Sequence, residues 1–250
     1  MPKKILFLDI LADNPWRRQE LESPYGGLSY PEHFRQFTGI AKNQFISIDA
    51  FGEKLPDPAK FRAIILGGSG KDPVKKQESP WILETYKFIR KTADKNIPIL
   101  GICGGLQFVI KALGGAIVKN SKGRNFGNSL VTLTAEGQKD PLFSGLPKKF
   151  MTQASHQCVA RSLKPGWKLL AFSVKSPIDA IAIGKNIRLV QFHPEVSLRN
   201  VRGKAKLKRQ ALINEGFTTE KNFPKFLTAL KDTSETGKKI LTNFLEYFIK

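Results

Sequence analysis

The amino-acid sequence predicts an α/β fold: a doubly wound, mostly parallel sheet with added antiparallel strands and a C-terminal helical segment. Two observations carry this expectation. Through the first 115 residues, short apolar runs alternate with segments of helical period, the pattern of a parallel sheet wound with helices. After Gly114-Gly115 the runs become short and alternating, with turn residues such as Lys164-Pro165-Gly166 and Gly184-Lys185-Asn186 between them, which signals antiparallel strands.

The first strand is expected at Ile5–Leu11. Lys3 and Lys4 precede it, but the apolar run is short and interrupted by Asp9, so it reads as a strand and not as a signal peptide. Further strands are expected at Phe45–Ile48, Ala63–Leu66 and Pro98–Ile102. Helices are expected around Pro31–Lys42 and over Pro80–Asp94, where Ile82, Leu83, Tyr86 and Ile89 recur at helical spacing. A helix-like stretch, Leu106–Leu113, ends at Gly114-Gly115. The alternating runs are Ala116–Lys119, Ser129–Thr134, Val159–Ala160, Trp167–Phe172, Asp179–Ile183 and Ile187–Gln191. The remainder reads as helices: a basic one over Val196–Gly216, then Asn222–Asp232 and Gly237–Ile249. In the last, Ile240, Leu241, Phe244, Leu245 and Phe248 form one apolar face. There is no internal repeat and no low-complexity linker, so residues 1–250 are expected to form a single domain.

Composition is that of a globular chain: 250 residues, 41% hydrophobic, enough for one substantial core. No apolar stretch is long enough to cross a bilayer. Two cysteines give no disulfide framework, which points to a reducing, cytoplasmic location. Three dispersed histidines and two cysteines offer no metal-ligand spacing. Neither G-x-x-x-x-G-K-[ST] nor an early G-x-G-x-x-G is present, so no metal and no cofactor are expected. Net charge is +20, from 41 basic and 21 acidic residues, with a dense basic run from Arg199 to Arg209. Such charge attracts anionic partners, but no nucleic-acid motif accompanies it, and a solvated surface is the expected reading.

Chemistry concentrates around Cys103. The run Ile97-Pro98-Ile99-Leu100-Gly101-Ile102-Cys103-Gly104-Gly105-Leu106-Gln107 ends an apolar strand in a cysteine flanked by glycines. Glycines permit a sharp strand-to-helix turn, a nucleophile elbow that aims one side chain outward. The helix N-terminus beyond it favours a thiolate. Of the three histidines, only His193 both follows a strand-like run and precedes an acid at short range, in Phe192-His193-Pro194-Glu195. Pro194 restricts His193, and Glu195 can orient the ring and stabilise its protonated form. Both motifs close an apolar strand, where the sites of α/β sheets lie. His33, in Tyr30-Pro31-Glu32-His33, is read as structural, and Cys158 as a buried apolar residue.

These residues resemble the class I, or triad, glutamine amidotransferases, in the manner of the amidotransferase domain of GMP synthase. The family's G-x-C-x-G-x-Q elbow is met at Gly101 to Gln107, its H-P-E at His193-Pro194-Glu195, and its glycine-rich turn at Gly67-Gly68-Ser69-Gly70. The resemblance covers most of the chain. It implies a flavodoxin-like sheet and a helical insert at about 197–235; with the length used by this one domain, no second, synthetase domain is expected. It further implies Cys103, His193 and Glu195 as the triad, and backbone N–H groups of Gly68 and Gly104 as the oxyanion hole. Gly67, Gln107, Ser155 and His156 are implied as substrate-binding. Cys158 departs from the family's S-H-x-D segment, and Gly104 replaces a larger residue, which would widen the pocket mouth.

Three functions remain open on these grounds. The chain would hydrolyse glutamine through a γ-glutamyl thioester and supply ammonia to a synthetase or other acceptor protein. Alternatively, it would be a γ-glutamyl peptidase or amide hydrolase that needs no partner. As a further alternative, it would be a non-catalytic binding protein working through its basic helix. Nucleic acid and membrane are not expected partners, and oligomeric state is not readable.

Overall fold

The computed structural model describes residues 3–74 and 77–249. Its strands and helices run in the order β1 (Lys4–Asp9), α1 (Pro15–Glu22), α2 (Tyr30–Thr38), β2 (Phe45–Asp49), β3 (Phe61–Leu66), α3 (Pro80–Asp94), β4 (Ile99–Ile102) and α4 (Gly104–Ala112). There follow β5 (Ile117–Lys119), β6 (Asn125–Leu133), α5 (Ala135–Lys139), β7 (Lys149–His156), β8 (Cys158–Ala160), β9 (Trp167–Ser173), β10 (Ala180–Ile183) and β11 (Ile187–Val190). The chain ends in α6 (Leu198–Leu207), α7 (Arg209–Asn214), α8 (Phe223–Ala229) and α9 (Ser234–Phe248).

One mixed sheet organises the molecule, in the order β2-β1-β3-β4-β11-β10-β9-β6-β7. From β2 to β11 the strands are parallel, and from β11 to β7 each pairs antiparallel with its neighbour. This is the expected parallel core with antiparallel additions. The two-residue period of a strand divides its side chains between two faces. In β1, Ile5 and Phe7 enter one core with Phe34 of α2 and Ile240, Leu241 and Phe244 of α9. Leu6 and Leu8 enter the other, with Trp81, Ile82 and Ile89 of α3 and Leu106, Val109 and Ile110 of α4. A third apolar cluster joins α6, α7 and α8 to Phe126 of β6.

Several boundaries differ from the sequence reading for local reasons. The helix expected to reach Lys42 stops at Thr38, because Gly39 takes φ 72° and caps it with an N–H bond to Arg35. The basic helix is two helices: Lys208, at φ −101° and ψ 15°, interrupts it between α6 and α7. Three elements, α1, α5 and β7, were not anticipated. The α1 segment buries none of its residues, so it has no apolar stripe to read. The β7 strand, KFMTQASH, buries polar Thr152, Gln153 and His156 beside Phe150 and Ala154, which blurs the alternation.

Asp179, just before β10, is 1% exposed and neither carboxylate oxygen has a hydrogen-bond partner. Burial pushes its pKa up to about 6. A carboxyl whose folded pKa is raised favours the folded state while protonated, and that advantage fades as pH climbs from the unfolded value through about 6. Asp179→Asn is therefore expected to raise the melting temperature at pH 8 by more than at pH 5, as measured by calorimetry at both.

Candidate active site

Cys103 sits between β4 and α4 with φ 50° and ψ −98°, in the region where a side chain is strained by roughly 1–3 kcal/mol. The surroundings over-determine this turn. Its N–H donates to Val190 O (2.8 Å), and Gly105 N–H donates to Gly67 O (2.9 Å). A Cβ on Gly104 would overlap the Ser69 main chain, and one on Gly105 would overlap the Leu66 carbonyl. The elbow is thus pressed against the glycine-rich turn that follows β3. Gly104 fills this contact, so its small size permits close packing where a wider pocket mouth was expected.

Strand register brings the histidine to the cysteine. Val190 pairs with Ile102 across parallel β11 and β4, so residues 191–193 emerge beside the elbow. His193 N–H donates to Gln153 O (2.8 Å), which ties the segment to β7. The imidazole Nδ1 lies 2.7 Å from Glu195 Oε1, and the ring and the Cys103 thiol line the same cavity. Burial alone would lower the His193 pKa, but the negative charge of Glu195, then of Cys103, outweighs it and raises the value to about 9. Glu195 is fully buried. Burial would raise its pKa, yet the His193 charge and hydrogen bonds from His193 and Tyr30 bring it below the usual carboxylate value. An imidazolium paired with a carboxylate beside a thiol can stabilise a thiolate and later deliver a proton.

No local sequence pattern points to the residue that braces this pair. The Tyr30 hydroxyl donates to Glu195 Oε1 (2.8 Å) and accepts from Gly68 N–H (2.8 Å). It is 1% exposed, edge-on to Phe7 and stacked on Tyr25 at 5.2 Å. His33, read as merely structural, is on α2 with its Nε2 2.9 Å from the Glu195 carbonyl oxygen. Both residues come from a helix some 160 positions upstream, a distance at which no local pattern reports contact. Tyr30→Phe leaves Gly68 N–H and one Glu195 lone pair unpaired. It is expected to cost about 1–3 kcal/mol of stability, measured by urea unfolding.

Cys103 and His193 open onto a cavity of about 270 Å³ that Gly68, Gln107, Ser155, His156 and Cys158 also line. Gly67 does not line it; a Cβ there would meet Tyr30 and Phe7 at 2.5 and 2.7 Å. Gln107 is buried, its Nε2 3.4 Å from both Cys158 O and Gln191 Oε1, and Gln191 Nε2 reaches Cys103 Sγ at 3.6 Å. Gln191 was not anticipated, although it is the residue two before His193. His156 Nδ1 donates to Cys158 O (3.1 Å); burial, with the His193 charge, lowers its pKa to about 4, so it is neutral at pH 7. Burial pushes the Cys158 thiol up. Among the described residues, no group of three or more His, Cys, Asp or Glu could hold a metal ion. No described helix is long and apolar enough to cross a membrane.

Comparison with known proteins places this architecture. The family model for glutamine amidotransferase class-I matches residues 40–213. A GMP synthase [glutamine-hydrolyzing] of Thermosipho melanesiensis is 41% identical over 172 residues, 65% of this chain and 31% of its own length. The chain thus spans about a third of that relative. Gamma-glutamyl peptidase 4 of Arabidopsis thaliana is 26% identical over 237 residues, covering 90% of this chain and 88% of its own. A crystal structure of a glutamine amidotransferase from Thermotoga maritima superimposes over 100% of both chains, with a TM-score of 0.77 and 20% identity, and so shares the fold. The chain belongs to the class I glutamine amidotransferase family.

Proposed function

We propose that this protein cleaves γ-glutamyl amides through a thioester on Cys103, with glutamine as substrate and glutamate and ammonia as products. The observation that carries this reading is the strained Cys103 elbow facing a buried His193–Glu195 pair. In the first step the Cys103 thiolate adds to the γ-carbonyl while His193 holds the proton. The resulting oxyanion needs backbone donors, and the Gly104 and Gly68 amides are the candidates. Gly68 N–H is engaged by Tyr30, so it must exchange that partner for the oxyanion. His193 then protonates the departing nitrogen, and water, deprotonated by the same ring, cleaves the thioester. Ammonia would pass to an acceptor bound by a synthetase or another partner protein, and a reducing compartment would keep Cys103 free.

A second reading is favoured by the charge of the cavity wall, where Arg17, Lys71, Lys119, Arg124, Lys204 and Lys208 face only Asp72. Here the substrate is a γ-glutamyl peptide or other substituted amide, and no partner is required. The near full-length match to a γ-glutamyl peptidase supports it too. Assay of purified protein with glutamine and with γ-glutamyl dipeptides separates the two. Ammonia from glutamine at the higher kcat/KM supports the ammonia donor, and amino acid from the dipeptides supports the peptidase. Neither product, under reducing conditions and with any partner absent, leaves an amidotransferase that its partner must activate or a protein without hydrolase activity.

A further inference from the structure

Resting on the γ-glutamyl amide hydrolase reading, we propose that Lys204 and Lys208 form an anion subsite in the catalytic cavity. It selects γ-glutamyl compounds whose amide nitrogen carries a carboxylate-bearing substituent, such as an acidic amino acid. The cations of the cavity wall fall into two groups. Arg17 is paired with Glu20, Lys71 with Asp13 (2.6 Å), and Arg124 with Glu215 (2.7 Å). Among the described residues, Lys119, Lys204 and Lys208 have no carboxylate within ion-pair distance. Asp72, the lone acid of the wall, accepts from Val74 N–H (3.1 Å).

Lys204 and Lys208 are one helical turn apart at the end of α6, and both reach the cavity. The Lys204 ammonium stands 5.1 Å over the Tyr25 ring, and Tyr25 stacks on Tyr30, the partner of Glu195. The subsite is therefore built onto the same aromatic stack that braces the triad acid. Lys208 is half-buried; burial, followed by the charges of Arg124, Lys204 and Arg17, brings its pKa down to about 8. A bound carboxylate would relieve this repulsion.

His156 supplies an independent sign of a ligand in the cavity. It is 5% exposed, and its Nε2 has no hydrogen-bond partner. Because Nδ1–H donates to Cys158 O, Nε2 carries a lone pair and can only accept, for example from a ligand N–H. Glutamine is a zwitterion and brings no net charge to the three unpaired lysines. A γ-glutamyl dipeptide brings an additional carboxylate together with N–H donors. The reaction is balanced by water alone: the C–N bond breaks, His193 protonates the nitrogen, and glutamate and the free amino acid leave.

The test compares γ-glutamylglutamate with γ-glutamyl methylamide, which retains the γ-glutamyl α-carboxylate and lacks any on the leaving side. Calorimetric binding to Cys103→Ala protein is expected to favour γ-glutamylglutamate by tenfold or more, with the same preference in wild-type kcat/KM, expressed in KM. Lys204→Gln and Lys208→Gln should each shrink that ratio towards one. Lys208→Glu should shift preference towards the cationic γ-glutamyl ethylenediamine. Equal affinities in the Cys103→Ala protein, or a ratio that survives both lysine substitutions, overturn the proposal. So does equal weakening of both ligands, which would assign the lysines to the α-carboxylate. A preserved binding preference with no wild-type turnover upholds the subsite and counts against the hydrolase reading alone.

Discussion

Cys103→Ala is expected to reduce γ-glutamyl amide cleavage by about 10⁴-fold or more, since residues of a nucleophile–base unit fail together when one is removed. Cys158 also lines the cavity, but burial pushes its thiol up, so it remains protonated at neutral pH and is not expected to replace the proposed nucleophile. The substitution keeps the strained φ of 50° and removes only the sulfur. Folding should therefore be retained, which circular dichroism checks alongside the rate. Residual turnover near the wild-type rate would move the chemistry elsewhere in the cavity.

Glu195→Gln is expected to reduce kcat/KM by roughly 10²–10⁴-fold, the range found when the acid of a triad loses its charge. The pH profile carries the sharper signature. With Glu195 charged, His193 keeps its proton up to about pH 9, and in the proposed mechanism that proton is delivered to the leaving nitrogen. Activity should therefore fall on the alkaline side as pH rises through about 9. Glu195 is the largest influence raising the His193 pKa, so its neutralisation should move the alkaline limb to lower pH. The imidazole and the carboxylate interact directly, so the limb belongs to the pair. A limb that stays in place after Glu195→Gln would mean that the carboxylate does not govern His193.

What the sequence disclosed follows from how local each feature is. The Cys103 elbow was legible because its glycines must lie within two residues of the cysteine to let the turn close on Ser69 and Leu66. His193 and Glu195 were legible for a similar reason: Pro194 separates them, and the 2.7 Å bond between their side chains is made within three residues. The parallel strands showed themselves as continuous apolar runs because both faces are covered. Tyr30 and His33 were not legible, because their partner lies more than 160 residues away. The basic run over 199–209 was visible as charge, but its orientation was not. Only its three-dimensional placement shows that Lys204 and Lys208 face the cavity while Arg209 pairs outward with Glu220.

A glutamine analogue bearing a diazoketone in place of the amide would test the proposed nucleophile most directly. The full-length protein would be incubated with it at neutral pH, then measured by intact mass and peptide mapping. The expected result is a single adduct on Cys103, absent from Cys103→Ala and much slowed in His193→Ala and Glu195→Gln. Labelling of Cys158 instead, or labelling of Cys103 at a rate indifferent to His193 and Glu195, would contradict a Cys103 nucleophile activated by the buried histidine–glutamate pair.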